Sequence, residues 1–348
     1  MIDLSSAALK SVSVHFVGNK SVGDELIHSK KPMELEDRDK KILANAFLGR
    51  FKLETNLYAF THGASLDYNE VYNYCLETLA EPDELHKNAV NITKHLYESA
   101  THPKIKAGDV YICLFENCVV NSAYVDAIGI YKAESKTDFL DLNIEDKEFE
   151  LTLRQGVDIS KVDKACLVLS TNGEKGFDVL IYDTNGKGEE AVYWRETFLN
   201  IAPQANEYYQ TNEFLTIAKQ FIAKQVPQEF EIEKTEQIDM LNKSVEYFRA
   251  NTSFDKKQFE ETVMGDESII RSFRKFEDAY REDHDIDLPD RFDISAQAVK
   301  KQARVFKSVL KLDRNFHIYI HGDKDLIEKG YDPVSGKHFY KIYFDEEE

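Results

Sequence analysis

Six cations crowded into one stretch of an acidic chain are the residues whose chemistry is easiest to name. Lys300, Lys301, Arg304, Lys307, Lys311 and Arg314 fall within residues 294–322 beside a single acidic residue, Asp313. That stretch therefore carries a local net charge of +5 in a chain whose formal net charge is −19. Cations at this density can neutralise the phosphates of a polyanion such as DNA, a contact that is largely independent of sequence and strongly dependent on salt. The alternative is a solvated charged face with no ligand.

Other candidate chemistry is thinner. His317 and His321 share one side of an expected strand, where four residues span about 13 Å, too far for two imidazoles to hold one metal ion. His15 is expected on the polar side of a strand and receives no role. Cys75, Cys113, Cys118 and Cys166 show no C-x-x-C spacing, and three of them lie in apolar runs, so buried reduced thiols are expected. Nucleophile elbows, H-E-x-x-H helices, EF-hand loops and both glycine-rich phosphate-binding motifs are absent from the sequence. With 63 acidic residues, close carboxylate pairs arise by chance, so no two-carboxylate site is inferred. No catalytic residue, no cofactor and no metal is assigned.

The cations need an element to position them. Ser295 suits an N-cap, and Ala296, Val299, Ala303, Phe306 and Leu310 recur at spacings of three and four, which predicts a basic helix over residues 295–312. Lys300, Arg304, Lys307 and Lys311 fall on its opposite side, so the apolar stripe should face a core and the basic one solvent or an anion. Arg271, Arg274 and Lys275 would extend the patch if their own helix, expected over 267–281, packs alongside.

Elsewhere the patterning alternates between two periods. A strand is expected over 10–17, then helices over 37–51, 68–79 and 83–100. The tyrosine and phenylalanine density at Tyr58, Phe60, Tyr68, Tyr72 and Tyr74 reads as core packing, with base stacking as the other use of such residues. From residue 108 to 194 the period becomes two. Strands are expected over 110–115, 123–132, 149–153, 165–170, 177–183 and 190–194, with Glu116-Asn117 near the first turn and turns at Asn172-Gly173 and Asn185-Gly186. Strands joined by short turns make an antiparallel meander and exclude a doubly wound nucleotide-binding fold. Helices follow over 211–225, 237–249, 255–264 and 267–281, with Pro227 as the expected break, and strands close the chain over 315–321 and 338–344.

The expected fold class is α+β. Residues 1–226 would hold an antiparallel sheet with helices, and residues 227–348 a mainly helical domain with the basic helix and a small C-terminal β-hairpin. Hydrophobic residues at 42% and charged residues at 31% agree with a globular protein, and 348 residues exceed one small core. No apolar run is long enough to span a membrane and the first residues lack a signal-peptide pattern, so a cytoplasmic protein with no membrane partner is expected. A charge of −19 repels nucleic acid and anionic lipid at long range, so any DNA contact must be local.

Several blocks together resemble one family. They are HFVGNK at 15–20, HLYESATHPKIKAGDVYICLF at 95–115, DAIGIYKAESKTDFL at 126–140, EAVYWRETFL at 190–199, QIDMLNKSVEYF at 237–248 and FDISAQAVKKQARVFKSVLKLDRNFHIYIHG at 292–322. The chain is similar to the bacterial nucleoid-associated proteins of the NdpA type, in the form found in Bacteroidetes-like sequences. The resemblance implies a cytoplasmic, nucleoid-located, DNA-associated and non-enzymatic protein. It leaves open whether DNA or a nucleoid protein is the direct partner. Two other functions stay in view: a self-association module, with the acidic loop at 282–290 docking the basic helix of a second copy as a homodimer, and an enzyme or ligand-binding protein with an unrecognised pocket.

Overall fold

Alternation of period two runs through much of the first 204 residues and builds a large antiparallel sheet and a separate hairpin. The computed structural model describes residues 2–51, 56–146, 148–173, 176–184, 192–284, 286–306, 309–314, 316–319 and 326–346. It divides into two units, Met1–Gln204 and Ala205–Glu348.

In the first unit the elements run in order as β1 (Ile2–Asp3), β2 (Ala8–Val17), β3 (Leu26–His28), α1 (Asp37–Leu48), β4 (Tyr58–Phe60), α2 (Glu70–Ala80) and α3 (Leu85–Ser99). Then come β5 (Gly108–Val120), β6 (Ala123–Ala133), β7 (Thr137–Glu145), β8 (Glu148–Gly156), β9 (Lys164–Gly173), β10 (Gly176–Asp183) and β11 (Ile201–Pro203). The strand order is β11-β4-β10-β9-β6-β5-β2-β3, with β1 pairing the end of β5, and all neighbours are antiparallel. Strand alternation sorts the side chains into two cores. Val110, Ile112, Leu114, Ile128, Ile130 and Val168 meet Val71, Cys75, Ala89, Ile92 and Leu96 of α2 and α3. Cys113, Phe115, Tyr131, Leu167 and Leu169 meet Ala44, Phe47 and Leu48 of α1 on the other face. Gly129 is required here, because a Cβ at that position would lie 2.5 Å from the Tyr131 ring and 2.8 Å from Phe115. All four cysteines are buried and free.

Local expectations fail in instructive places. Glu116-Asn117, expected near the turn, precedes it by several residues. Asn117 (φ 61°) forms a bulge inside β5, and the chain reverses at Asn121-Ser122, both at positive φ. The meander is interrupted by β7–β8, a hairpin of which only the second strand is expected from the sequence. Tyr193–Leu199 is a π-helical turn rather than the end of a strand, and it buries Trp194 and Phe198. Asn185-Gly186 lies outside the described residues. His15 is buried, at 3% exposure, instead of standing on a polar surface. Its Nε2 is 2.9 Å from the Ser13 hydroxyl, which is also 2.7 Å from His86 Nδ1, and the His28 ring packs edge-on at 5.3 Å. Burial first, then His28 and His86, lowers the His15 pKa to about 4.

The second unit contains α4 (Glu207–Gln220), α5 (Lys234–Ala250), β12 (Ser253–Asp255), α6 (Glu267–His284), β13 (Arg291–Asp293) and α7 (Ala296–Ala303), followed by β14 (Val309–Leu312), β15 (Phe316–Tyr319), β16 (Ile327–Asp332) and β17 (Lys337–Ile342). Its core is aromatic, with Phe214 central to Phe248, Phe254, Phe259 and Phe273 at ring separations of 4.2 to 5.9 Å. Pro227 does not break the chain as expected. It occupies the first turn of a short helix, Val226–Glu229, where its missing N–H costs nothing, so α4 passes through Phe221–Gln225 into that turn without a boundary. The architecture is α+β, with an antiparallel sheet and helices first, then a more helical part that ends in small β-hairpins.

Candidate nucleic-acid interface

The cations are carried by a helix shorter than the sequence predicts. Ser295 is the N-cap, its Oγ accepting from Ala298 N at 3.4 Å, but α7 ends at Ala303 and not near residue 312. Residues 309–312 instead form β14, paired in register with β15 through Leu310↔Ile318 and Leu312↔Phe316. Asp313 takes the left-handed turn position between them, at φ 52°. A cross-strand partner and the β-branched Val309 favour extended backbone over the helical period. The turn residues Asp313-Arg314 after VLKL were the sequence signal for this hairpin.

A two-stranded ladder then sets the site. β12 follows α5, β13 precedes α7, and Phe254↔Phe292 joins them, with Ile294 N donating to Thr252 O at 2.8 Å. This pairing brings the C-terminal end of α5 beside α7. Between them lies a hollow of about 620 Å3, lined by Phe248, Ile294, Ala296, Val299 and Ala303 as its apolar part and by Asn251 and Thr252. Arg249, Lys300 and Arg304 complete the lining, and among the described residues no acidic one contributes to it. All three cations are exposed, and among the described residues none makes an ion pair. Ala296, Val299, Lys300, Ala303 and Arg304 sit at helical spacings on one face, so floor and charge come from the same side of α7 and not from the opposite sides expected from the sequence.

The six expected residues are thus divided. Lys300 and Arg304 share the hollow. Lys301 faces α4, its Nζ 3.1 Å from Tyr208 Oη and 5.6 Å from the centre of that ring. Gln302 ties the same face down through Asn212 Oδ1 at 2.8 Å and Thr216 Oγ1 at 3.1 Å. Lys307 lies outside the described residues. Lys311 is on β14 opposite His317, and Arg314 is exposed at the β14–β15 turn. The expected burial of the apolar stripe holds for Val299, Phe306 and Leu310 although two of these residues follow the helix. Arg271, Arg274 and Lys275 do not join the hollow. Arg274 is held by the buried Glu260 at 2.9 and 2.5 Å, and Arg271 and Lys275 line a separate hollow with Glu229. Arg249 was missed, because only the β12–β13 pairing, a contact distant in sequence, brings it to Lys300.

His317 is exposed, and His321 lies outside the described residues. Among the described residues no group of three His, Cys, Asp or Glu side chains could hold a metal ion, and no helix is long and apolar enough to cross a membrane.

The family model described as nucleoid-associated protein YejK matches residues 13–338. The chain belongs to that family. The match spans both units and contains every residue of the hollow. Family membership agrees with a bacterial, nucleoid-associated protein that is not an enzyme. None of the curated proteins compared with the chain matches it.

Proposed function

We propose that this protein is a DNA-associated, non-catalytic component of the bacterial nucleoid and that the hollow between α5 and α7 contacts the phosphate backbone. The observation that carries this reading is the grouping of Arg249, Lys300 and Arg304 around one hollow to which no carboxylate of the described residues contributes, in a chain of net charge −19. Cations without an ion pair among the described residues of so acidic a protein are available to an external anion. Arg314 and, on the sequence pattern, Lys301, Lys307 and Lys311 extend the proposed contact. The sequence blocks support the NdpA type in its Bacteroidetes form, and the family supports a cytoplasmic, nucleoid location.

Fluorescence anisotropy with a short duplex DNA across a salt series tests the reading. The native chain is expected to bind more weakly as salt rises. Replacing Arg249, Lys300 and Arg304 together by Gln is expected to lower the slope of log K against log salt by about 3, roughly one for each lost phosphate contact. A folded variant that binds as the native chain does would remove the hollow from the reading. No native binding at low salt would remove direct DNA contact altogether and leave a nucleoid protein as the partner.

A further inference from the structure

We infer that the β7–β8 hairpin is the surface through which two copies of this chain associate. The hairpin pairs only with itself among the described strands, from Thr137↔Gly156 to Glu145↔Glu148. Three successive rungs, Leu140↔Leu153, Leu142↔Leu151 and Ile144↔Phe149, put their side chains on one face by the two-residue alternation of a strand. These six residues are 52–68% exposed, and no charged side chain interrupts the three rungs. The opposite face is different in kind. It carries Asp141 with Arg154, paired at 2.8 Å, together with Glu148 and Glu150, and Phe139 is its one large apolar residue.

A ribbon with one face this apolar and this exposed is not the form in which such a hairpin is stable in water, since two strands alone do not cover their side chains. At roughly 100 Å2 exposed per residue the six present about 600 Å2, the upper limit of the largest apolar patch on a typical monomer. Two copies packed face to face would bury about 1,200 Å2, the size at which specific stable interfaces begin. The face also complements itself. A two-fold axis lying between the faces and crossing the middle rung sets Leu142 and Leu151 against their own copies, and sets Leu140 and Leu153 against Ile144 and Phe149. The charged face then stays in water on both sides.

This association has a signature unlike that of DNA contact or of an acidic-loop-to-basic-helix dimer. Both of those weaken with salt. An apolar interface between two chains of charge −19 each holds or tightens as salt screens their repulsion.

Sedimentation velocity on the full chain across the micromolar range, at low and high salt, reads this directly. The native chain is expected to be a dimer whose population is unchanged or raised by salt. The double variant Leu142→Asp, Leu151→Asp is expected to weaken the dimer by roughly a hundredfold or more, because four carboxylates would be forced into the apolar contact. Thr152→Asp, on the charged face, is expected to leave it unchanged. A native chain that is monomeric throughout overturns the inference and gives the face to a different partner. A double variant as dimeric as the native chain, or a dimer that dissociates with salt, overturns it by placing the contact elsewhere. Should the double variant misfold, the native chain still decides. Amide exchange over residues 137–156 must slow as concentration rises, and exchange independent of concentration overturns the inference.

Discussion

Lys300 and Lys301 are adjacent in sequence and sit in different chemistry. Both are exposed, but one lines the hollow while the other lies against the hydroxyl and ring of Tyr208. A helix turns about 100° per residue, so a run of cations is shared among faces, and only the packing of α7 on α4 and α5 decides which of them are left for a ligand. The same dependence on surroundings governs His15, whose pKa is about 4 against an ordinary 6.5. His28, beside it, is lowered as well, by burial and then by Lys94 and His86. A base with a lowered folded pKa binds fewer protons when folded than when unfolded, so stability rises with pH through that window and is lost on acidification from 6.5 towards 4. Allowing for solvent at the rim of the cluster, the loss from His15 is expected to be about 2 kcal/mol. Urea unfolding at pH 7 and pH 4.5 measures it, and the variant His15→Asn should flatten the difference. An equal slope in native and variant proteins would assign the acid sensitivity to other groups.

Among the elements, α2 depends on one side chain. Asn69 caps the helix by accepting from Tyr72 N at 2.9 Å, and its Nδ2 reaches the carbonyls of Thr61, Leu199 and Asn200 at 3.0 to 3.1 Å. The side chain thereby fastens β4 and the π-helical turn to the start of α2. Asn69→Ala is expected to cost about 2–3 kcal/mol, a lost cap plus carbonyls left without their donor, with the midpoint of denaturant unfolding as the measure. A cost below half a kcal/mol would mean that water replaces the amide. What was legible at this scale followed from local chemistry. The period-two runs of β2, β6, β9 and β10 and the apolar stripe of α3 are strong signals within a few residues. The extent of the basic helix was not legible, because Val309–Leu312 satisfies a helical period as well as a strand period, and the partner that settles it, Phe316–Tyr319, lies beyond a turn. The candidate site was half legible for the same reason. Lys300 and Arg304 stand four apart on one helix, whereas Arg249 reaches them only through the β12–β13 ladder.

For the whole molecule, the hydrophobic clusters respect the division of the chain. Among the described residues those of the sheet and its helices end at Ile201, and those of the second unit begin at Phe214. Each unit therefore has its own core, and residues 1–204 and 205–348 are expected to fold when produced separately. Cooperative thermal unfolding of each piece by circular dichroism is the check, and a piece that shows none refutes the independence. The four cysteines add a practical consequence. Cys75, Cys113 and Cys166 are fully buried with thiol pKa values raised by burial, and Cys118 is pushed to about 12. Thiolate is the reactive form, so the folded chain should be nearly silent towards maleimides. One cysteine introduced on the surface, at Arg249 or Thr152, would then take a fluorophore alone, with all four native thiols left in place.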